Sequence, residues 1–406
     1  MYKLLQVSIE VNSGSVGRIA EQIGLEVLKV GGESFITYAR NNQPSKSKTI
    51  KIGNKFDIYL HGIRTRIFDD HCYGSAKATE KLIKQIQELN PDIILMHHIH
   101  GYFLNMKILF EYLSKLNIPI VWIFHDCWSF TGHCAYFDAI GCEKWKTGCY
   151  SCPQKKSYPA SYVFDRSKKN YIEKRYLFNS VKNLTIVSVS NWLRDLVKES
   201  FLSSNNIKVI YNGIDINIFK PSTNNKEPRE KFGLKDEFIL LGVASPWSER
   251  KGLKDFIKLS ELIDTNIKII LVGLDQNQIN DLPNNIIGIQ RTENVNQLAD
   301  LYSMADLFIN FSVEETFGLT TAESLSCGTP ALVYNATACP EVVSEDTGFI
   351  VEKGDLDSVI KVINEVREKG KEFYSEKCRE RAVSCFNKDD RFKEYIDLFT
   401  NLINKK

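Results

Sequence analysis

The chain has 406 residues, 43% of them hydrophobic and 25% charged, a size and content that predict two cores of about 150–200 residues each rather than one. No apolar run approaches the ~18–20 residues of a membrane span, and the opening MYKLLQVSIEVNSGS is too short in apolar residues for a signal-peptide core; a first buried strand and a cytoplasmic protein are expected. The net charge of +2 divides unevenly: residues 1–205 hold 27 Lys and Arg against 18 Asp and Glu, a balance of +9, and the remainder balances at −7, which suggests two domains of opposite sign, the basic one meeting an anionic partner.

In chain order, short apolar runs alternate with amphipathic stretches, the signature of β-α-β units on parallel sheets. KLLQVSIE reads as a strand and RIAEQIGLEVLKVGG as a helix that glycine ends. ESFITYAR, PDIILMHH, IPIVWIFHD and NLTIVSVS follow as strands, with ATEKLIKQIQELN, NMKILFEYLSKLN and NWLRDLVKES as helices. Turn residues and Pro221 lie in IKVIYNGIDINIFKPSTNNKEPREKFG, so the boundary falls there. The second half repeats the rhythm: EFILLGVAS, NIKIILVGL, NIIGIQ, DLFINFS and TPALVYN are strands; GLKDFIKLSELI, VNQLADLYSMA and FGLTTAESLSC are helices. The expected architecture is α/β, two doubly wound Rossmann-like domains facing across a cleft: 1–205, with a Cys-rich insertion at about 127–182, then 206–385. A helix over 386–406 is expected to cross back to the first domain.

Doubly wound sheets bind ligands beyond the C-terminal ends of their strands. His97, His98 and His100 end one predicted strand and His125-Asp126 another, while Ser245 to Lys251 follow a third. The histidines 97, 98 and 100 lack an identifiable third metal ligand, which favours structural or acceptor contacts. Asp126 is read either as a nearby base or as the cap of the next element. Trp192 and Trp247 are read as packing residues. The stretch 144–182 is rich in Lys and Arg with interleaved aromatics; it reads as a solvated face, or as a surface for an anionic acceptor or membrane. No nucleic-acid-binding motif accompanies it.

Cys134, Cys142, Cys149 and Cys152 lie within nineteen residues, next to His133, in a Gly-rich polar segment. Cytoplasmic thiols rarely pair as disulfides, and Cys149-x2-Cys152 is a spacing that two zinc-bound thiolates share. A structural zinc ion is expected; a loop of free cysteines contacting the acceptor is the alternative.

The densest signal is EETFGLTTAESLSCGTP, residues 314–330. Gly318 opens a helix at Leu319, whose first amides and dipole can face a diphosphate. Glu323, placed about two turns in, can bind ribose hydroxyls, and Glu315 in the preceding loop can reach the donor's sugar. Phe317 and Gly318 stand between the two carboxylates.

This block resembles the Glu-x7-Glu signature of the family 4 retaining glycosyltransferases, which have the GT-B fold. Ser13-Gly14-Ser15-Val16-Gly17-Arg18 resembles that family's glycine-containing loop after the first strand. His125-Asp126 is similar to its cleft histidine, which contacts the donor sugar, and Tyr211-Asn212-Gly213-Ile214-Asp215 with Phe219 and Pro221 to its interdomain segment. Arg250-Lys251-Gly252 resembles the basic pair that neutralises the leaving diphosphate, although many members carry the Arg several residues earlier, where this chain has Gly242-Val243-Ala244. HDCWSFTGHC with the later cysteines resembles a bacterial surface-polysaccharide (capsule) subgroup. The resemblance implies retaining, metal-independent transfer of a hexose from a nucleotide sugar, UDP-linked first and GDP-linked second, to a lipid-linked or oligosaccharide acceptor, possible at the inner face of the plasma membrane. The missing Gly-x-Gly-x-x-Gly weakens a dehydrogenase reading. A sugar-nucleotide epimerase, a phosphorylase and a non-catalytic zinc-bearing module remain as alternatives.

Overall fold

A computed structural model describes residues 2–222 and 226–405. Chain contacts divide it into a first unit, Met1–Ile210 with Phe392–Lys406, and a second, Tyr211–Arg391.

The first unit is built on β1 (Lys3–Val7), β2 (Glu33–Tyr38), β3 (Lys48–Lys51), β4 (Ile93–Met96), β5 (Ile120–Phe124), β6 (Leu184–Ser188) and β7 (Asn206–Val209), in the order β3-β2-β1-β4-β5-β6-β7. The second is built on β8 (Phe238–Val243), β9 (Ile267–Val272), β10 (Ile286–Ile289), β11 (Leu307–Asn310), β12 (Ala331–Tyr334) and β13 (Gly348–Val351), in the order β10-β9-β8-β11-β12-β13. Every pairing between these strands is parallel. IILM, IVWIF, LFIN and ALVY are buried at every position, as parallel strands with both faces covered must be. In each sheet the winding reverses direction between the first strand and its second neighbour, β1 and β4 in one and β8 and β11 in the other. Ligand sites of doubly wound sheets lie beyond the strand ends at such a reversal. The loops after β4 and β5, and after β8 and β11, carry the candidate residues.

Several elements differ from the sequence expectations. KTIK forms β3, and Lys55–Phe68 forms a helix. That helix buries His61, Gly62 and Thr65 and exposes Phe56, Tyr59, Leu60 and Ile63, so its polarity is opposite to what an amphipathic reading looks for. NIKV forms the edge strand β7, hydrogen-bonded to β6, which carries the first unit past residue 205. The stretch 127–182 is not an insertion throughout. Its last third is the helix Ser167–Asn179, whose Phe178 packs against Phe110 and Trp122 in the core. Lys174, counted in the basic run, is 1% exposed. The helix Lys388–Asn404 leaves the second unit at Arg391, and from Phe392 onward it groups with the first. Among the described residues no helix is long and apolar enough to cross a membrane.

Candidate active site

In the first unit, the end of β4 runs directly into a histidine cluster. His97 is fully buried; its Nε2 lies 3.0 Å from Gln6 Oε1, its Nδ1 3.4 Å from His125 Nε2, and its carbonyl accepts from Trp122 Nε1. The His97 and His125 rings stack at 5.7 Å. Asp126 holds the turn after β5: its Oδ1 accepts from the Trp128 amide at 2.9 Å. Its Oδ2 lies 3.0 Å from His100 Nε2 and 3.4 Å from His98 Nε2. Asp126 therefore caps the next turn and also anchors two imidazoles, and it supplies the third partner that the histidine run lacked. Among the described residues these three ligand-type atoms form a group within 4.8 Å of one another. Trp128 and Tyr158, which the sequence did not single out for this site, pack on His100.

Burial sets the protonation here. Burial alone would raise the Asp126 carboxyl, but His100, His98 and the Trp128 amide outweigh it and hold the group below the ordinary carboxylate range. Burial pushes His98 down to about 4 against the pull of Asp126, His97 to about 3 with help from His98, and His61 to about 4 with help from Arg64. His125 is lowered by burial first and then by His98 and His97. At neutral pH, His98 thus faces Asp126 as a neutral ring. An unfolded histidine titrates near 6.5, so between about pH 6.5 and 4 the unfolded chain binds more protons than the folded one. Stability is then expected to fall as the pH drops through that window, by roughly 1.4 kcal/mol per pH unit for each imidazole kept neutral. Calorimetric melts at pH 7, 6 and 5 check this; a flat melting temperature would contradict the neutral cluster.

Gly14 and Gly17 do not sit in a loop. They belong to the first turn of the helix Gly14–Lys29, and a Cβ on Gly17 would meet Glu10 at 3.3 Å. These glycines allow the helix to start tightly against Glu10 in the loop that follows β1.

In the second unit, Arg250 and Lys251 lie on a short 3-10 turn, Glu249–Lys251, ahead of the helix Leu253–Leu262. Gly252 fixes that turn. Its φ is +76°, and a Cβ there would come within 2.4 Å of the Phe311 side chain and 2.5 Å of its carbonyl. Only glycine lets the turn lie flat on the end of β11, where the Val313 amide donates to the Arg250 carbonyl at 2.9 Å. Both cations then grip the loop after β11. Arg250 Nη1 donates to the Glu314 carbonyl at 2.9 Å, and Lys251 Nζ forms an ion pair with Glu315. Thr337, which the sequence reading missed, accepts from the Glu315 amide at 2.9 Å, and the Ala338 amide donates to the Glu315 carbonyl.

Gly318 caps the helix Leu319–Ser326 with φ +102°. A Cβ would have room there, 3.6 Å from its nearest neighbour, so the conformation and not the space calls for glycine. Leu319 and Thr320 are the first two residues of that helix, where backbone N–H groups have no intrahelical acceptor. Glu323 is the fifth residue of the helix, just over one turn in rather than two, and its Oε2 accepts from the Tyr302 hydroxyl at 2.9 Å. Phe317 is buried between Tyr211 and Phe386, so any contact it makes with a ligand runs through its backbone. Trp247 packs on Phe256 and donates to the Val272 carbonyl.

The four clustered cysteines, 134, 142, 149 and 152, line one small pocket of the first unit.

Two family models match the chain: one described as Glycosyltransferase Family 4 over residues 34–218, and one described as Glycosyl transferases group 1 over residues 224–383. A putative colanic acid biosynthesis glycosyl transferase of Escherichia coli K12 is 22% identical, over 98% of this chain and 100% of its own length. A UDP-Gal:alpha-D-GlcNAc-diphosphoundecaprenol alpha-1,3-galactosyltransferase of Escherichia coli is 26% identical over 60% of this chain and 68% of its own. Among solved structures, sucrose-phosphate synthase from Thermosynechococcus elongatus matches with a TM-score of 0.74 at 15% identity over 100% of both chains. HepE of Anabaena, in complex with UDP and glucose, matches with a TM-score of 0.69 at 16% identity over 98% of this chain and 100% of its own. At such identities the structures speak for the fold alone. With glycosyltransferase models matching both halves and relatives in bacterial surface-polysaccharide synthesis, the chain belongs to the family 4 glycosyltransferases and has their GT-B fold.

Proposed function

We propose that this glycosyltransferase moves a hexose with retention from a UDP-sugar, or second a GDP-sugar, to a lipid-linked glycan in surface-polysaccharide synthesis. The observation that carries the reading is the grouping in the second unit, where two cations of the turn after β8 are held against a carboxylate and a glycine-capped helix start in the loop after β11. As the C1–phosphate bond breaks, charge grows on the diphosphate. Arg250, Lys251 and the amides of Leu319 and Thr320 stabilise it. These groups bring the positive charge themselves, so the transfer step is proposed to need no metal. Glu315 orients the hexose and Glu323 holds the ribose. The acceptor oxygen bonds to C1 on the face the diphosphate leaves, and the acceptor's proton passes to the departing phosphate oxygen. His125 and Asp126 belong to the sugar and acceptor side, the ring neutral and the carboxylate ionised. The name of one relative supports the donor and acceptor classes, carrying UDP-Gal with a GlcNAc-diphosphoundecaprenol acceptor. An epimerase or phosphorylase gains no such support, and the Lys251–Glu315 pair speaks against a non-catalytic module. Thermal-shift measurements with UDP, GDP, ADP and their sugar conjugates test the donor: a uridine ligand at about 100 times its Kd should add roughly 2.7 kcal/mol of stability. A response to adenine nucleotides alone would overturn the assignment.

We also infer a membrane contact for the first unit. The helix Lys55–Phe68 directs Phe56, Tyr59, Leu60, Ile63 and Phe68 to solvent, and Phe164 stacks on Phe68 at 5.8 Å. Lys55, Arg64 and Arg66 are exposed on the same helix. An outward apolar stripe edged with cations suits the interface of an anionic bilayer. We place the enzyme there, at the cytoplasmic face, where a lipid-linked acceptor is presented.

A further inference from the structure

The segment between β5 and the helix Ser167–Asn179 contains a 3-10 turn at Trp128–Phe130, another at Asp138–Ile140, and a four-residue helix, Lys144–Thr147. The rest is irregular, yet Phe130, Phe137 and Trp145 pack into a buried aromatic cluster. A connection of this length with so little regular structure needs something else to hold it.

The four cysteines, from three separate turns of this segment, line one small pocket. Cys134 and Cys152 hydrogen-bond to each other, Cys149 lies within electrostatic reach of both, and Cys142 within reach of Cys134 and Cys149. The Gly132 amide donates to Cys149 Sγ at 3.1 Å, the kind of outer contact that orients a thiolate ligand. A Cβ on Gly132 would lie 2.6 Å from Cys149 Cβ, so the backbone approaches this sulfur closely.

The charges around the pocket point the same way. Lys174 is buried, with its Nζ donating to the carbonyls of Trp128 and Thr131 and lying 3.3 Å from the centre of the Trp128 ring. Among the described residues no carboxylate lies within ion-pair distance of it. A buried ammonium with no carboxylate at ion-pair distance is costly, and the thiols of Cys72, Cys149 and Cys134 and the more distant Asp126 carboxylate are the groups that act on it. His133, also buried, pairs through Nδ1 with Asp69, while its Nε2 has no hydrogen-bond partner. A centre of four thiolates and one Zn²⁺ has a net charge of −2. Such a centre would add negative charge close to the Lys174 ammonium, beyond that of Asp126.

We propose that Cys134, Cys142, Cys149 and Cys152 bind one structural zinc ion, with all four positions filled by sulfur. The ion binds as Zn²⁺ and four thiol protons leave to solvent, so no oxidant or reductant takes part. The His98, His100 and Asp126 group is a different cluster. There the Asp126 carboxylate accepts from the Trp128 amide and lies 3.0 Å from His100 Nε2, and the group offers imidazoles and a carboxylate rather than sulfur.

Elemental analysis of the full chain, purified without added zinc, should find about one equivalent per chain. Cys149→Ser and Cys152→Ser should reduce it to less than a tenth and lower the melting temperature. Cys385→Ser, in the second unit, should leave the metal in place. If the cysteine variants fail to fold, the wild-type protein still gives the answer: an organomercurial should release zinc, read with a chromogenic chelator, as four thiols react. Cobalt exchanged into the protein should show the intense absorption of tetrahedral sulfur ligation. A metal-free wild-type chain that also gives no cobalt band would overturn the proposal. So would a metal that survives in Cys149→Ser and is lost in His100→Ala.

Discussion

Glu315→Ala and Lys251→Ala are each expected to lower turnover by a factor on the order of 10² or more, with the melting temperature nearly unchanged. Both side chains are mostly covered but outside the core, at 17% and 16% exposure, and they pair with each other. Truncation removes a contact to the reacting group without opening a cavity. The two losses should be far from additive, because each residue fixes the other's position. Glu323→Ala acts differently: its carboxylate sits a turn further along the helix, on the Tyr302 hydroxyl, so it should raise the Kd for the nucleotide more than it lowers kcat. Steady-state rates at saturating donor, with calorimetric Kd values, separate the two patterns. Glu315→Ala with near wild-type turnover would remove that residue from the site.

The second large effect is expected on the membrane. Replacing Phe56, Tyr59 and Ile63 together by serine should weaken partitioning onto vesicles of anionic phospholipid by at least about 10-fold, since each buried aromatic or aliphatic side chain contributes roughly 1.5–3 kcal/mol. The folded state should lose little at Phe56 and Tyr59, each 65% exposed, and somewhat more at Ile63, which is 37% exposed. Binding should also weaken in high salt and on neutral vesicles, as each basic side chain near an anionic surface adds about 1 kcal/mol. Flotation of the wild-type chain and the triple variant reads both effects. Equal flotation of the two would show that this helix is not the contact, and no flotation of the wild type would remove the membrane from the account.

Much of this was legible in the sequence for definable reasons. Strands such as IILM and IVWIF are continuous apolar runs because helices cover both faces of the sheet, and runs of that kind are visible without a structure. The loop and helix at 314–330 were legible because glycine, two carboxylates and a Gly-Thr-Pro exit lie within one stretch of chain. Contacts between distant segments were not. The partner of His98 and His100 is Asp126, on the next strand's loop, and Thr337 reaches the Glu315 amide from twenty-two residues away. Lys174 looked like one more cation in a basic run, and only packing reveals that it points inward. The helix Lys55–Phe68 was missed because its apolar stripe faces outward, so the rule that apolar residues mark the core gives the wrong face.

The most direct test is the stereochemistry of the product. The enzyme, incubated with a UDP-α-hexose and a diphosphate-lipid or glycan acceptor, should give a product whose anomeric proton, read by NMR, has the α configuration of the donor. Glu315→Ala should give the same configuration at a rate about 10² lower. A β-linked product would contradict the retaining assignment, and with it the roles given to Lys251, Glu315 and the glycine-capped helix.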